Sequence, residues 1–62
     1  MENKVDYLMN AKYAEIEQHV LRAYKDVRVF KPGDPLGDFK YNPHRLNLKL
    51  DNNGVIYDLW FG

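Results

Sequence analysis

The fold is decided by residues 27–50, which read VRVFKPGDPLGDFKYNPHRLNLKL. Both ends of this stretch, Val27–Phe30 and Leu46–Leu50, alternate between apolar and polar side chains, which is the period of a β-strand. Pro32 and Gly33 end the first strand, and a polar loop then runs up to the second. A long loop held between two strands in so short a chain is usually displayed to a partner.

A helix is predicted before this stretch and a third strand after it. Apolar side chains recur at three- and four-residue steps between Ala11 and Lys25, which is a helical period. Asp51–Gly54 is a strong turn because Asn and Gly accept positive φ, and Val55–Phe61 has the apolar content of a strand. Strict alternation divides this third strand between two faces, with Val55, Tyr57 and Leu59 on one and Ile56, Asp58 and Trp60 on the other.

This order of elements predicts an α+β fold of one domain, residues 1–62. One helix packs on a small mixed three-stranded sheet. Strands two and three pair antiparallel through the turn, and strand one pairs parallel to strand two if the long exposed loop serves as the crossover. A domain of this length buries only about 60% of the surface of its unfolded chain, so its core is small.

Charge and hydropathy exclude two classes of partner. The nine basic and nine acidic side chains give a formal net charge of zero and are interleaved, so we expect no nucleic-acid binding, which needs a basic stripe. No apolar run approaches the length of a membrane span. The charged start, Met1–Asp6, lacks the apolar core of a signal peptide, which predicts a cytoplasmic protein, or a secreted one if a signal was removed.

The residue inventory argues against catalysis. The chain contains no Ser, Thr or Cys, so it lacks the usual hydroxyl and thiol nucleophiles, disulfides and thiolate zinc ligands. His19 and His44 have no ligand spacing, and the Asp residues are spread over unrelated segments. We therefore predict that the chain is not an enzyme and holds neither a metal nor a cofactor.

Several short motifs have the spacing of one known family: Val27–Val29, Pro32–Asp34, Tyr41, Pro43, Arg45–Asn47, Asp51–Ile56 and Phe61–Gly62. Through them the chain resembles the I78 peptidase inhibitors and, more distantly, the potato inhibitor I family. The resemblance implies a potato inhibitor I-like fold and a serine-type endopeptidase inhibitor that acts by a substrate-mimicking reactive loop. The chain departs from the family pattern in several respects. Its loop is one residue longer, Gly37–Lys40 replaces the family's loop centre, Phe61 replaces a terminal Cys with no other Cys upstream, and the family's usual secretory signal is absent.

The resemblance also assigns the reactive loop, which consists of Gly37, Asp38, Phe39, Lys40 and Tyr41. Phe39 falls at the position of the primary specificity residue, and Lys40 would follow the scissile bond. We expect Phe39 to enter a large apolar pocket of a subtilisin- or chymotrypsin-like protease. The alternative is that Phe39 folds back onto the core, although its charged and glycine neighbours are poor core residues.

Two side chains of the second strand are implied as supports of the loop. In the related families, arginines of this strand brace the loop from beneath, and Arg45 is the best candidate, with Asp38 as an acceptor. Asn47 points the same way as Arg45 in an alternating strand and can assist it. Alternatively, Arg45 is an ordinary solvent-facing strand residue.

A second function remains open on the same fold. The chain could be a non-inhibitory protein-binding module that uses the loop or the third strand, possibly as a homodimer. An exposed aromatic edge on the third strand would invite a partner. Equally, Trp60 and Phe61 could close the core where the family uses a disulfide. The expected partner is therefore a serine protease or another protein, and the chain is a monomer or a weak homodimer.

Overall fold

The computed structural model describes residues 5–35 and 42–62. It contains a short 3-10 helix, Asp6–Leu8, followed by helix α1, Tyr13–Ala23, and strands β1, Asp26–Phe30, β2, Arg45–Leu50, and β3, Ile56–Phe61. The predicted α+β architecture of one helix and three strands is confirmed, and each predicted element lies within two residues of its expected bounds. In the described part of the chain no helix is long and apolar enough to cross a membrane.

The three strands form one mixed sheet with β2 in the centre. β1 runs parallel to β2, with Asp26 opposite Arg45 and Phe30 opposite Lys49, whereas β3 runs antiparallel to β2. The chain that leaves β1 must therefore return along the whole strand before β2 begins, a distance of about 13 Å for four residue steps. The segment between β1 and β2 is the crossover, as the order of elements predicted.

The core lies between α1 and one face of the sheet. Val20 is the fully buried residue of α1, while Tyr13, Ile16 and Tyr24 are partly buried against the core. The segment before α1 adds apolar area where the single helix cannot supply enough. The buried apolar cluster consists of Val5, Leu8, Val20, Leu46, Leu48, Leu50 and Ile56.

The predicted alternation of the third strand is wrong at its start and holds from Asp58 to Trp60. The register of β3 against β2 shifts between Ile56 and Asp58, so Tyr57 is the extra residue of a β-bulge. Ile56, which is buried, and Leu59, which packs on the core, therefore share one face instead of lying on opposite faces. Tyr57 is 49% exposed, and the Nζ atom of Lys49 lies 5.7 Å from the centroid of its ring.

The outer edge of β3 is partly occupied. At its start, Asn10 donates its backbone N–H to the Ile56 carbonyl at 2.8 Å, and Ile56 donates to the Ala11 carbonyl at 2.9 Å. Asn10 reaches this position with φ of 69°, the left-handed conformation that its side chain allows. Further along, the Asp58 carboxylate accepts the Leu59 N–H at 2.9 Å. These contacts occupy backbone groups through which an edge strand could add another strand.

Two tyrosines and a histidine connect the 3-10 helix to α1. The Tyr7 hydroxyl lies 2.7 Å from Nε2 of His19 and 3.5 Å from the Tyr24 hydroxyl. The Tyr24 ring in turn packs against Phe61, with 6.2 Å between the ring centroids. The first described segment and the last strand are thus joined to the C-terminal end of α1 through Tyr24.

Alkaline pH is expected to destabilise the fold through Tyr24. Burial, and secondarily the hydrogen bond and charge of Tyr7, raise the pKa of Tyr24 from 10.0 to about 12. Because the folded pKa exceeds the unfolded one, the stability linked to this hydroxyl is fully present below pH 10 and is lost as the pH rises through 12. Urea unfolding at pH 8 and pH 11 checks this. The free energy of unfolding should fall less for Tyr24→Phe than for the wild type, and equal losses would contradict the assignment.

Candidate functional site

The sheet face that points away from α1 carries a mixed set of polar and aromatic side chains. On β1 and β2 the core is formed by Val27, Val29, Leu46 and Leu48, so the alternate residues point the other way. We call this the outer face of the sheet. Its residues are Asp26, Arg28 and Phe30 of β1, Arg45, Asn47 and Lys49 of β2, and Asp58 and Trp60 of β3.

A tight turn forms where the chain leaves β1. The backbone N–H of Asp34 donates to the Lys31 carbonyl at 3.0 Å, and the Lys31 N–H donates to the Asp34 carboxylate at 3.0 Å. Gly33 has φ of 89°, and Pro32 precedes it, which is the arrangement of a type II turn. The Pro32-Gly33-Asp34 motif thus fixes the direction in which the loop begins.

A second turn forms where the chain returns to β2. The Asn42 carbonyl accepts the backbone N–H of Arg45 at 2.9 Å, and the Asn42 side-chain oxygen accepts the N–H of His44 at 2.9 Å. The amide nitrogen of Asn42 also donates to Oδ2 of Asp26 at 3.0 Å. The end of the loop is therefore held both by its own turn and by the first residue of β1.

Arg45 contacts the same carboxylate oxygen. Its Nε lies 3.4 Å from Oδ2 of Asp26, and its side chain is 12% exposed, compared with 45% for Asp26. The reading of Arg45 as a solvent-facing residue is wrong, because the side chain is largely buried and ion-paired. Sequence reasoning missed Asp26, which the parallel register places opposite Arg45. The proposed acceptor Asp38 lies outside the described residues.

Asn47 is fully buried in the middle of β2. Its Nδ2 lies 3.1 Å from the Gly62 carbonyl and 3.3 Å from the Trp60 carbonyl, and the Gly62 N–H donates to the Arg45 carbonyl at 3.0 Å. Its Oδ1 has no hydrogen-bond partner in residues 5–35 and 42–62. The described contacts of Asn47 therefore fasten the end of β3 beside Arg45, and its role beneath the loop stays a prediction.

The two aromatic residues at the end of β3 lie on opposite faces of the sheet. Trp60 stacks on Phe30 across the central strand, with 6.0 Å between the ring centroids and 7° between the planes. Phe61 packs on the core beside Tyr24. Phe61 thus closes the core, as one sequence interpretation held, whereas Trp60 covers part of the outer face.

The remaining candidate residues divide into two groups. His19 lies on the exposed side of α1 and His44 in the return turn, and the described ranges contain no group of three or more potential metal ligands among His, Cys, Asp and Glu. The reactive-loop residues predicted from the sequence fall outside the described ranges. They are Gly37, Asp38, Phe39, Lys40 and Tyr41.

Comparisons with known proteins agree with the motif spacing. A model of the peptidase inhibitor I78 family matches residues 4–62. Among solved structures, the elastase inhibitor AFUEI matches with a TM-score of 0.71 and 24% sequence identity, over 92% of this chain and 81% of that chain. At this identity the match shows a shared fold. No curated protein matches the chain.

Proposed function

The chain belongs to the peptidase inhibitor I78 family, and we propose that it inhibits serine endopeptidases of the chymotrypsin- or subtilisin-like type. The inhibitory element is the loop Asp34–Arg45, which a protease binds as it would bind a substrate. Family membership also confirms that the chain is not an enzyme. Its partner is a protease, and the inhibitory unit in this proposal is a single copy of the chain.

The observation that supports the proposal most strongly is that both ends of the loop are anchored. The turn at Lys31–Asp34 fixes the departure from β1, and the turn at Asn42–Arg45 fixes the return to β2. The segment between Phe30 and Arg45 contains fourteen residues, which is more chain than the crossing of about 13 Å requires. Part of it can therefore stand clear of the sheet, and anchored ends lower the entropy that a protease must remove on binding.

The anchors also explain how a bound loop can resist hydrolysis. In the proposed mechanism, the protease serine attacks the carbonyl carbon of Phe39 and the amine of Lys40 is the leaving group. Residues on both sides of this bond remain tied to the same sheet after cleavage, so the amine stays beside the acyl group. Re-formation of the peptide bond then competes with hydrolysis, because the two reacting groups are held at a high effective concentration.

The side chain of Phe39 sets the expected target class. A phenyl ring fits the hydrophobic slot of a chymotrypsin-like specificity pocket and is too large for the small pocket of elastase. AFUEI is an elastase inhibitor, so the shared fold does not by itself require a shared target. We therefore propose that this chain prefers a chymotrypsin- or subtilisin-like protease to elastase.

An inhibition assay tests the proposal. The chain is titrated against chymotrypsin, subtilisin and elastase, and residual activity is measured with a small substrate. Activity of chymotrypsin or subtilisin should be lost near a 1:1 molar ratio, with weaker inhibition of elastase. Full activity of all three enzymes in the presence of excess intact chain would contradict it and favour the non-inhibitory binding module.

Replacing Arg45 by alanine is expected to weaken inhibition by about ten- to a hundredfold, since a charge-assisted support of the loop is lost. Arg45→Lys should fall between Arg45→Ala and the wild type, because lysine keeps the charge but lacks the Nε donor and the planar fork. Arg22→Ala, on the exposed side of α1, is the matched control. The measurement is the inhibition constant, and unchanged inhibition by Arg45→Ala would remove Arg45 from the mechanism.

A further inference from the structure

We propose that Asp26 is a positioning residue for the inhibitory loop. It lies outside the loop, at the start of β1, and holds the end of the loop through Asn42 and Arg45. This inference rests on the proposed function but adds Asp26 and Asn42, to which neither the motif spacing nor the family resemblance points. In the chain, the rest of β1 and the whole loop separate Asp26 from Arg45, and Asp26 precedes the first strand motif. Asp26 and Arg45 become neighbours only in the folded sheet, where they are paired across β1 and β2.

The sheet register places Asp26 where the loop returns. β1 and β2 are parallel, and their first residues, Asp26 and Arg45, are direct neighbours. A parallel pair with a long crossover brings the start of β1 against the end of the crossover. A side chain at the first position of β1, on the outer face, is therefore adjacent to the residues through which the loop re-enters the sheet.

One carboxylate oxygen of Asp26 contacts two residues at the point where the loop re-enters the sheet. Oδ2 of Asp26 accepts the Asn42 amide at 3.0 Å and lies 3.4 Å from Nε of Arg45. Asn42 in turn holds the turn into β2 through its own carbonyl and side-chain oxygens. Asp26 thus fixes Asn42 relative to β1. Asn42 accepts the backbone N–H groups of His44 and Arg45, so the positions of these two residues also depend on Asp26.

The geometry at Arg45 gives Asp26 a second role. A guanidinium has donors at Nε and at both terminal nitrogens in one rigid plane. Contact of Nε with Asp26 restricts the orientation of this plane, and with it the directions of the terminal N–H groups. Loss of the carboxylate should therefore misalign Arg45 without removing its charge.

Because Asp26 is well exposed, we expect its contacts to matter for the position of the loop and little for the stability of the fold. Its side chain is 45% exposed, and an ion pair with one such partner contributes little to the stability of a fold because solvent screens it. The Asp26→Asn variant is therefore expected to remain folded. Its effect should appear in the order of the loop and in inhibition.

The test compares Asp26→Asn with Asp58→Asn, the same change on the same face of the sheet. Asp58 accepts the N–H of Leu59 and makes no described contact with the loop anchors, which makes it the matched control. We expect Asp26→Asn to weaken inhibition of chymotrypsin about tenfold or more, with a urea midpoint close to that of the wild type. Arg45→Ala should weaken inhibition by a smaller factor in the Asp26→Asn background than in the wild type, since the two residues act as a unit. Full additivity of the two changes, or inhibition equal to that of Asp58→Asn, would overturn the proposal.

Two readouts in the free protein do not depend on inhibition. The Nε–H signal of Arg45 in nuclear magnetic resonance spectra should exchange faster in Asp26→Asn, and thermolysin should cut residues 34–45 several-fold faster than in Asp58→Asn. If the wild type inhibits no serine protease, the proposed function fails while these readouts still decide the role of Asp26. Signals and cutting rates equal to those of the control would overturn that role.

Discussion

Phe39→Ala is expected to weaken inhibition of chymotrypsin by about 30- to 1,000-fold while leaving the fold intact. Truncating a central aromatic residue that fills a pocket at an interface costs about 2–4 kcal/mol of binding free energy when the residue is a hot spot, which corresponds to about 30- to 1,000-fold in affinity. The effect is large because Phe39 is assigned the specificity pocket, whereas its neighbours contribute mainly backbone contacts. The measurement is the inhibition constant at a fixed enzyme concentration.

Leu21→Ala is the control for this change. Leu21 is a large apolar residue on α1 that is 55% exposed, so truncating it removes accessible apolar surface far from the outer face of the sheet. Its inhibition constant should stay within about twofold of the wild type. Equal inhibition by Phe39→Ala and Leu21→Ala would remove Phe39 from the specificity pocket and would favour the alternative in which its ring folds back onto the core.

Leu48→Ala is expected to unfold a large part of the population at room temperature. Leu48 is fully buried at the centre of β2, between β1 and β3, and truncating such a leucine costs about 2–5 kcal/mol in lost burial and cavity formation. A core of this size rarely supplies more than about 3–5 kcal/mol of net stability, and the chain has no disulfide to compensate. Urea titration followed by circular dichroism measures the effect.

The same leucine-to-alanine change at Leu21 isolates burial as the cause. Its free energy of unfolding should differ from that of the wild type by no more than about 0.5 kcal/mol, since the side chain is largely in water. If Leu48→Ala and Leu21→Ala have the same urea midpoint, the packing of β2 between its two neighbours is not what stabilises this fold.

The parts of the fold that the sequence predicts are those with a clear period. The helical spacing of Ile16 and Val20 and the alternation of Leu46, Leu48 and Leu50 each place these apolar side chains on the core, so period and structure agree. The sequence predicts the parallel pairing of β1 and β2 only on the condition that the long loop serves as the crossover, and the observed register fulfils that condition.

In the third strand, the alternation of apolar and polar residues does not identify the buried face. Ile56–Phe61 contains a single charged residue, Asp58, and apolar or aromatic side chains on both of its faces. Such a pattern does not mark which residues face the core, so a one-residue bulge at Tyr57 leaves no trace in the sequence. The bulge lets both Ile56 and Leu59 pack on the core, which strict alternation forbids.

Asp26 illustrates a different limit. Its partners Asn42 and Arg45 are 16 and 19 residues away, and no local rule connects an acidic residue before one strand with polar residues before the next. The register does connect them, because pairing Val27 with Leu46 makes Asp26 and Arg45 neighbours. Opposite charges at paired positions of two predicted parallel strands are the signal that could have found this contact.

The most direct test of the account is to mix the chain with an equimolar amount of chymotrypsin and follow both proteins by intact-mass spectrometry and residual activity. We predict loss of chymotrypsin activity together with slow conversion to a single cleaved form, cut between Phe39 and Lys40, whose two fragments stay associated. Rapid cutting at several bonds, with chymotrypsin activity unchanged, would contradict the claim that this loop is an inhibitory one.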